Sequence, residues 1–140
     1  MSDHSVRSPM VITHESGVRF AAQIRQHRVM VDQSTRGGGE DSAPAPIELL
    51  GAALGTCVAF YVQQFCHARS LPYHGMRVEV DPQGVPGRIG RFDVRVILPE
   101  PLSPHHTQLL ERVAQSCPAH NTLVHGATIA VSIEQPAAVA

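Results

Sequence analysis

The chain has 140 residues, enough for a single domain with a substantial core. Its 11 basic and 12 acidic residues give no field that would gather nucleic acid or an anionic membrane, and there is no tryptophan to build a stacking platform. Three cysteines, an odd number, behind a polar start, MSDHSVRSPM, imply free thiols in a reducing cytoplasm rather than a disulfide framework. Residues 1–12 read as a loose leader. In GVRFAAQIRQHRVMVDQ, Val18, Phe20, Ala22 and Ile24 alternate with polar neighbours, and Val29 and Val31 follow, which predicts two strands hinged at Gln26-His27. STRGGGEDSAPAP is turn chemistry throughout, and a loop this long inside a domain is often functional.

Pro46 suits the first turn of a helix, which should run to about Arg69 and end at Ser70-Leu71-Pro72. No Asp, Glu, Lys or Arg occurs between Glu48 and Arg69. The apolar run within it approaches membrane-span length. However, Gln63, Gln64 and two glycines interrupt it, so a buried central helix is the better account. GMRVEVDPQG and RIGRFDVRVILPE predict two more strands, joined by a hairpin through PQGVPG. Ser103 as N-cap and Pro104 behind it open a second helix with Leu109, Leu110, Val113 and Ala114 on its apolar face. CPAHNTLVHG gives a short helical turn, and ATIAVSIE a last strand with Ile129, Val131 and Ile133 on one face. Residues 135–140 form a frayed Ala/Pro tail. The order β-β-α-β-β-α-β, with hairpins in place of crossovers, defines an α+β domain with antiparallel sheets over residues 1–140.

Leu50, Leu54, Cys57, Tyr61 and Phe65 recur at three- and four-residue spacing, so Cys57 lies on a hydrophobic stripe of the central helix. From that pattern alone it reads as a buried structural cysteine, and Gly51, Ala52, Ala53 and Gly55 read as small residues that admit a close neighbour. Cys117 differs. It stands before Pro118 at the start of a helical turn, where unpaired N–H groups favour a thiolate. Two such cysteines suit a redox pair, in which one thiolate takes an oxygen from a peroxide and the other condenses with the resulting sulfenic acid. Cys66, nine residues after Cys57, points the other way and is read as a bystander.

With these motifs in view, the sequence resembles the OsmC/Ohr group, the osmotically inducible and organic hydroperoxide resistance proteins. PIELLGAALGTC around the first cysteine, SCPAHNTL around the second, and DQSTRGGGEDSAP before the helix carry the resemblance, and the wording is most similar to the OsmC-like branch. The resemblance implies an intertwined homodimer with long central helices packed together and two active sites at the subunit interface. It also implies a thiol peroxidase that reduces organic hydroperoxides, some members taking hydrogen peroxide. By carry-over Cys57 matches the peroxidatic cysteine, Cys117 the resolving one, and Arg36 the arginine that assists thiolate formation. No cofactor and no metal are expected; electrons would come from an external dithiol.

The family's arginine-orienting glutamate follows the proline of a P-E-[EQ]-L pattern, whereas this chain reads Pro46-Ile47-Glu48-Leu49. A shift of one residue turns a helix position by ~100°. Three alternatives stay open: Glu48 acts from the partner subunit, Glu40 or Asp41 holds the arginine, or peroxidase activity is weak. Arg19, Arg25 and Arg28 are other candidates for the arginine, and Tyr61 reads as a pocket wall. Cys117, His120 and His125 can be drawn as part of a zinc site, but no second cysteine pair supports it. The rival to the enzyme is a non-catalytic or small-ligand-binding member of the same fold.

Overall fold

Alternating residues on either side of a tight turn at Arg25-Gln26, with Arg25 at φ 54°, fold into the expected hairpin. The computed structural model, which describes residues 8–138, has β2 (Arg19–Ile24) and β3 (His27–Val31) paired antiparallel from Phe20↔Val31 to Ile24↔His27. A further strand, β1 (Val11–Ser16), lies outside β2 and begins at Val11↔Gln23, giving the sheet order β1-β2-β3. Val11 and Ile12, expected in the leader, are therefore in a strand; residues 1–7 of that leader lie outside the described residues. All six β1 residues are exposed, so no buried face imprints a period of two on its sequence.

The second sheet is a two-stranded hairpin of β4 (Arg77–Val85) and β5 (Arg88–Ile97). The turn is shorter than PQGVPG suggests, because β4 continues through Pro82 to Val85 and only Pro86-Gly87 connect the strands. A two-stranded sheet has only edges, where a proline's missing N–H does no harm. Across the hairpin Arg95 pairs with Glu79 and Gln83 donates to Asp93.

The central helix, α1 (Pro46–Ala68), has Pro46 as its first residue. It stops in a Schellman arrangement: Ser70 N–H donates to His67 O at 3.2 Å and Leu71 N–H to Cys66 O at 2.9 Å. The left-handed position that closes this motif, usually glycine, is Ser70 at φ 53°. Two further helices, α2 (Pro104–Ala114) and α3 (Pro118–His125), begin alike. Ser103 and Cys117 are their N-caps, each in extended backbone with proline next, and each accepts the N–H three residues on.

The chain divides into two compact units. Of the described residues, 8–53 and 80–94 form the first, and 54–79 with 95–138 form the second. In the first, Gly51 sits 3.7 Å (measured from the position a Cβ would take) from Val80 Cγ1 and 3.9 Å from Phe92 Cε1. The small residues of α1 thus admit strand side chains here. In the second, the buried hydrophobic residues are Leu54, Val58, Val62, Phe65 and Cys66 of α1, with Leu110 and Cys117. Arg69 lies over the Phe65 ring, 3.9 Å from its centroid.

The strand expected over ATIAVSIE is not formed. Nothing after α3 is in a strand among the described residues, and Ile129, Val131 and Ile133 are 84%, 82% and 80% exposed. The alternation is present, but a strand also needs a neighbour to receive its N–H and C=O groups. The tail expected to fray carries no regular structure over residues 135–138, and residues 139–140 lie outside the described ones.

Candidate active site

Cys57 lies midway along α1 and Cys117 caps α3, and the second unit brings their side chains together. The Cys57 sulfur lies near enough to Cys117 to act on its thiol. Both are free thiols. Their exposures differ: Cys57 is half-buried, whereas Cys117 is 0% exposed. The backbone N–H of His120 donates to Cys117 Sγ at 3.3 Å, which is the capping bond of α3.

The N-terminal end of a helix favours a thiolate, which predicts an acidic Cys117. The structure reverses the balance. Burial pushes the Cys117 thiol above its ordinary value, the His120 N–H pulls it back, and the adjacent Cys57 sulfur pushes it up again. The Cys117 thiol therefore tends to hold its proton.

The other two expected site residues, Arg36 and Glu48, belong to the first unit. Arg36 is exposed in the short 3₁₀ turn Thr35–Gly37, which Ser34 caps. The Glu48 carboxylate accepts the N–H of Ala45 at 2.9 Å, reaching back over the start of its own helix as in a capping box. Ile47, where the family pattern has its glutamate, is an exposed hydrophobic residue.

Asp32 was not among the candidate site residues. It is 2% exposed and organises the loop that carries Arg36. Its carboxylate accepts the Ser42 hydroxyl at 2.7 Å and the N–H groups of Gln33 at 2.8 Å, Ser42 at 3.0 Å and Glu40 at 3.3 Å. Its own N–H donates to Pro44 O at 3.1 Å. Arg19 donates to the same Ser42 hydroxyl at 3.0 Å, so that guanidinium is tied to the loop from β2. The signal that could have found Asp32 is an acid ending an apolar strand before a stretch rich in unpaired N–H groups. A side chain on Gly39 would meet Gln33 O at 2.2 Å, so the loop closes only over a glycine.

Cys66 is fully buried, and burial pushes its thiol up while Arg69 pulls it down. Tyr61 is half-buried with its ring edge-on to Phe60 at 5.5 Å. Cys117, His120 and His125 do not gather into a metal-holding group, and among the described residues no three His, Cys, Asp or Glu do.

An α+β chain with a long apolar helix, two antiparallel sheets and paired thiols defines a class, and comparison gives its family. The OsmC-like protein family matches residues 38–132, well over half of the chain. The protein belongs to the OsmC-like family. No curated protein sequence matches it. Among solved structures it is similar to an osmotic-stress-induced and detoxification response protein from Psychrobacter arcticus 273-4, with TM-score 0.76 and 17% identity over 87% of this chain and 90% of the other. An OsmC-like protein from Mycoplasma pneumoniae gives TM-score 0.63 and 17% identity over 83% and 86%. An organic hydroperoxide resistance protein OsmC from Legionella pneumophila gives 0.54 and 16% over 85% and 91%. At such identities the structures speak for the fold. By length and composition α1 is apolar enough to cross a membrane, a test that a core helix also passes.

Proposed function

We propose that the protein is a thiol-dependent peroxidase that reduces organic hydroperoxides through Cys57 and Cys117. One observation carries the reading: two thiols sixty residues apart meet, with only one of them open to solvent. Cys57, deprotonated, attacks the outer oxygen of the hydroperoxide; the O–O bond breaks, Cys57 becomes a sulfenic acid, and the alkoxide leaves and takes up a proton to become the alcohol. The Cys117 sulfur then displaces the sulfenic hydroxyl as water and forms a disulfide, which an external dithiol returns to two thiols. The hydroperoxide-resistance name of the Legionella relative supports this substrate class. A cytoplasmic location fits the free thiols.

A homodimer belongs to the same reading. Ile129, Val131 and Ile133 alternate along a segment that is almost wholly in water, which marks a surface awaiting a partner. A second copy is the occupant proposed, with residues 127–134 joining one of its sheet edges as a strand.

The rival reading, a fold that binds a small ligand without peroxide chemistry, is favoured by one observation: Ile47 replaces the family glutamate and Glu48 is engaged in capping α1. One experiment separates the two. Reduced protein mixed with one equivalent of cumene hydroperoxide should form a Cys57–Cys117 disulfide, detected by peptide mass mapping, while Cys57→Ser forms none. Wild-type protein that keeps all three thiols under excess hydroperoxide would leave the rival standing.

A further inference from the structure

We propose that Cys117 has a second task besides resolution: it protonates the departing alkoxide, and by doing so becomes the thiolate that attacks next. This rests on the peroxidase reading above. When a thiolate opens an O–O bond, the sulfur takes OH and the rest leaves as an alkoxide, a strong base that needs a proton as the bond breaks. An acid must therefore sit beside the attacking sulfur, hold its proton until that moment, and be shielded from solvent exchange.

Cys117 meets each condition by its place in the fold. Its thiol is near enough to Cys57 to feel that sulfur, and it is 0% exposed. The capping N–H of His120 occupies one side of its sulfur at 3.3 Å. Burial and the neighbouring Cys57 sulfur both favour the protonated thiol at Cys117. Once Cys57 has become a neutral sulfenic acid, the second of these two influences is gone, and the N–H groups of His120 and Ala119, which favour the anion, remain. Rotation about Cβ–Sγ suffices to turn the thiol proton from the Cys57 sulfur toward an oxygen bound beside it.

The steps balance. Cys57–S⁻, Cys117–SH and ROOH give Cys57–SOH, Cys117–S⁻ and ROH. Cys117–S⁻ then displaces hydroxide from Cys57–SOH, giving the disulfide and OH⁻, which solvent protonates. Two electrons pass from the thiol pair to the peroxide, and no additional oxidant or reductant enters. The order of events follows from this scheme, because the resolving nucleophile is created by the reaction it must follow.

A general acid matters in proportion to the basicity of its leaving group, which gives the test. The single-turnover oxidation of Cys57 is measured with tert-butyl hydroperoxide, which leaves as a strongly basic alkoxide, and with peracetic acid, which leaves as acetate and needs no proton. The ratio of the two rate constants is compared among wild type, Cys117→Ser and Cys117→Ala. Serine keeps the cap of α3 but is a far poorer acid than a thiol. We expect the ratio, tert-butyl hydroperoxide over peracetic acid, to fall by about 100-fold in Cys117→Ala, the low end of what general acids supply, and by at least about tenfold in Cys117→Ser. An unchanged ratio in either folded variant overturns the proposal, since a purely structural role slows both oxidants alike. Wild-type Cys57 that reacts with neither oxidant would instead remove the peroxidase reading itself.

Discussion

Ser42 closes on Asp32 twice, through its hydroxyl at 2.7 Å and its N–H at 3.0 Å, and so ties the far end of a ten-residue loop to the end of β3. The Ser42 bonds, with those from Gln33 and Glu40, hold the Asp32 carboxyl at about 2, against an ordinary value of 3.8. A group whose folded pKa is depressed contributes stability above its unfolded pKa and loses it as pH falls through the folded one. We therefore expect Asp32→Asn to lower the urea midpoint at pH 7, and the gap from wild type to shrink between about pH 4 and pH 2. A gap that persists unchanged at pH 2 would show that charge is not what Asp32 supplies.

Gly39 belongs to the same loop. Its missing side chain leaves room for Gln33 O and for Asp32 Oδ1, 2.2 Å and 2.6 Å from where a Cβ would stand. Gly39→Ala must move backbone, and a loss of about 1–3 kcal/mol by chemical denaturation is expected.

Ser70 predicts the opposite sign. It ends α1 at φ 53°, a conformation that costs a residue with a Cβ roughly 1–2 kcal/mol. Ser70→Gly should raise stability by about 0.5–1 kcal/mol, less than the full strain because glycine also gains freedom in the unfolded chain.

Thiol reactivity should follow exposure. Cys57 is half-buried, while Cys66 and Cys117 are each 0% exposed. If the buried two react only through openings costing about 3 kcal/mol, iodoacetamide will modify Cys57 about 100-fold faster than either. Time-resolved peptide mass analysis reads this directly.

The exposed C-terminal segment carries the dimer prediction. Val131→Lys puts a charge in the middle of Ile129, Val131 and Ile133. Light scattering over a dilution series should show wild-type dimers, and a dissociation constant at least about tenfold weaker for the variant, since a buried valine contributes more than the 1.4 kcal/mol that factor requires. Identical curves would exclude the segment from the interface.

What the sequence disclosed was whatever local chemistry decides. Pro46, Ser103-Pro104 and Cys117-Pro118 announced their helix starts because caps act within one turn. The β2–β3 hairpin was legible from its alternation. β1 was not, because none of its residues is buried and a strand without a buried face leaves no pattern. Ile129, Val131 and Ile133 had the right pattern without a neighbouring strand in the same chain. Of the site, the cysteine pair could be named from its two motifs. Asp32 could not, since four donors converging from Gln33, Glu40 and Ser42 are a tertiary event.

The cap of α3 has a spectroscopic corollary. A helix of eight residues leans heavily on its first turn, and here that turn is fastened to a sulfur. Once joined to Cys57, that sulfur becomes a weaker acceptor for the amide it now holds. The His120 amide would then exchange with deuterium sooner in the oxidised protein than in the reduced one, so a single backbone proton becomes a gauge of the redox state of the whole molecule.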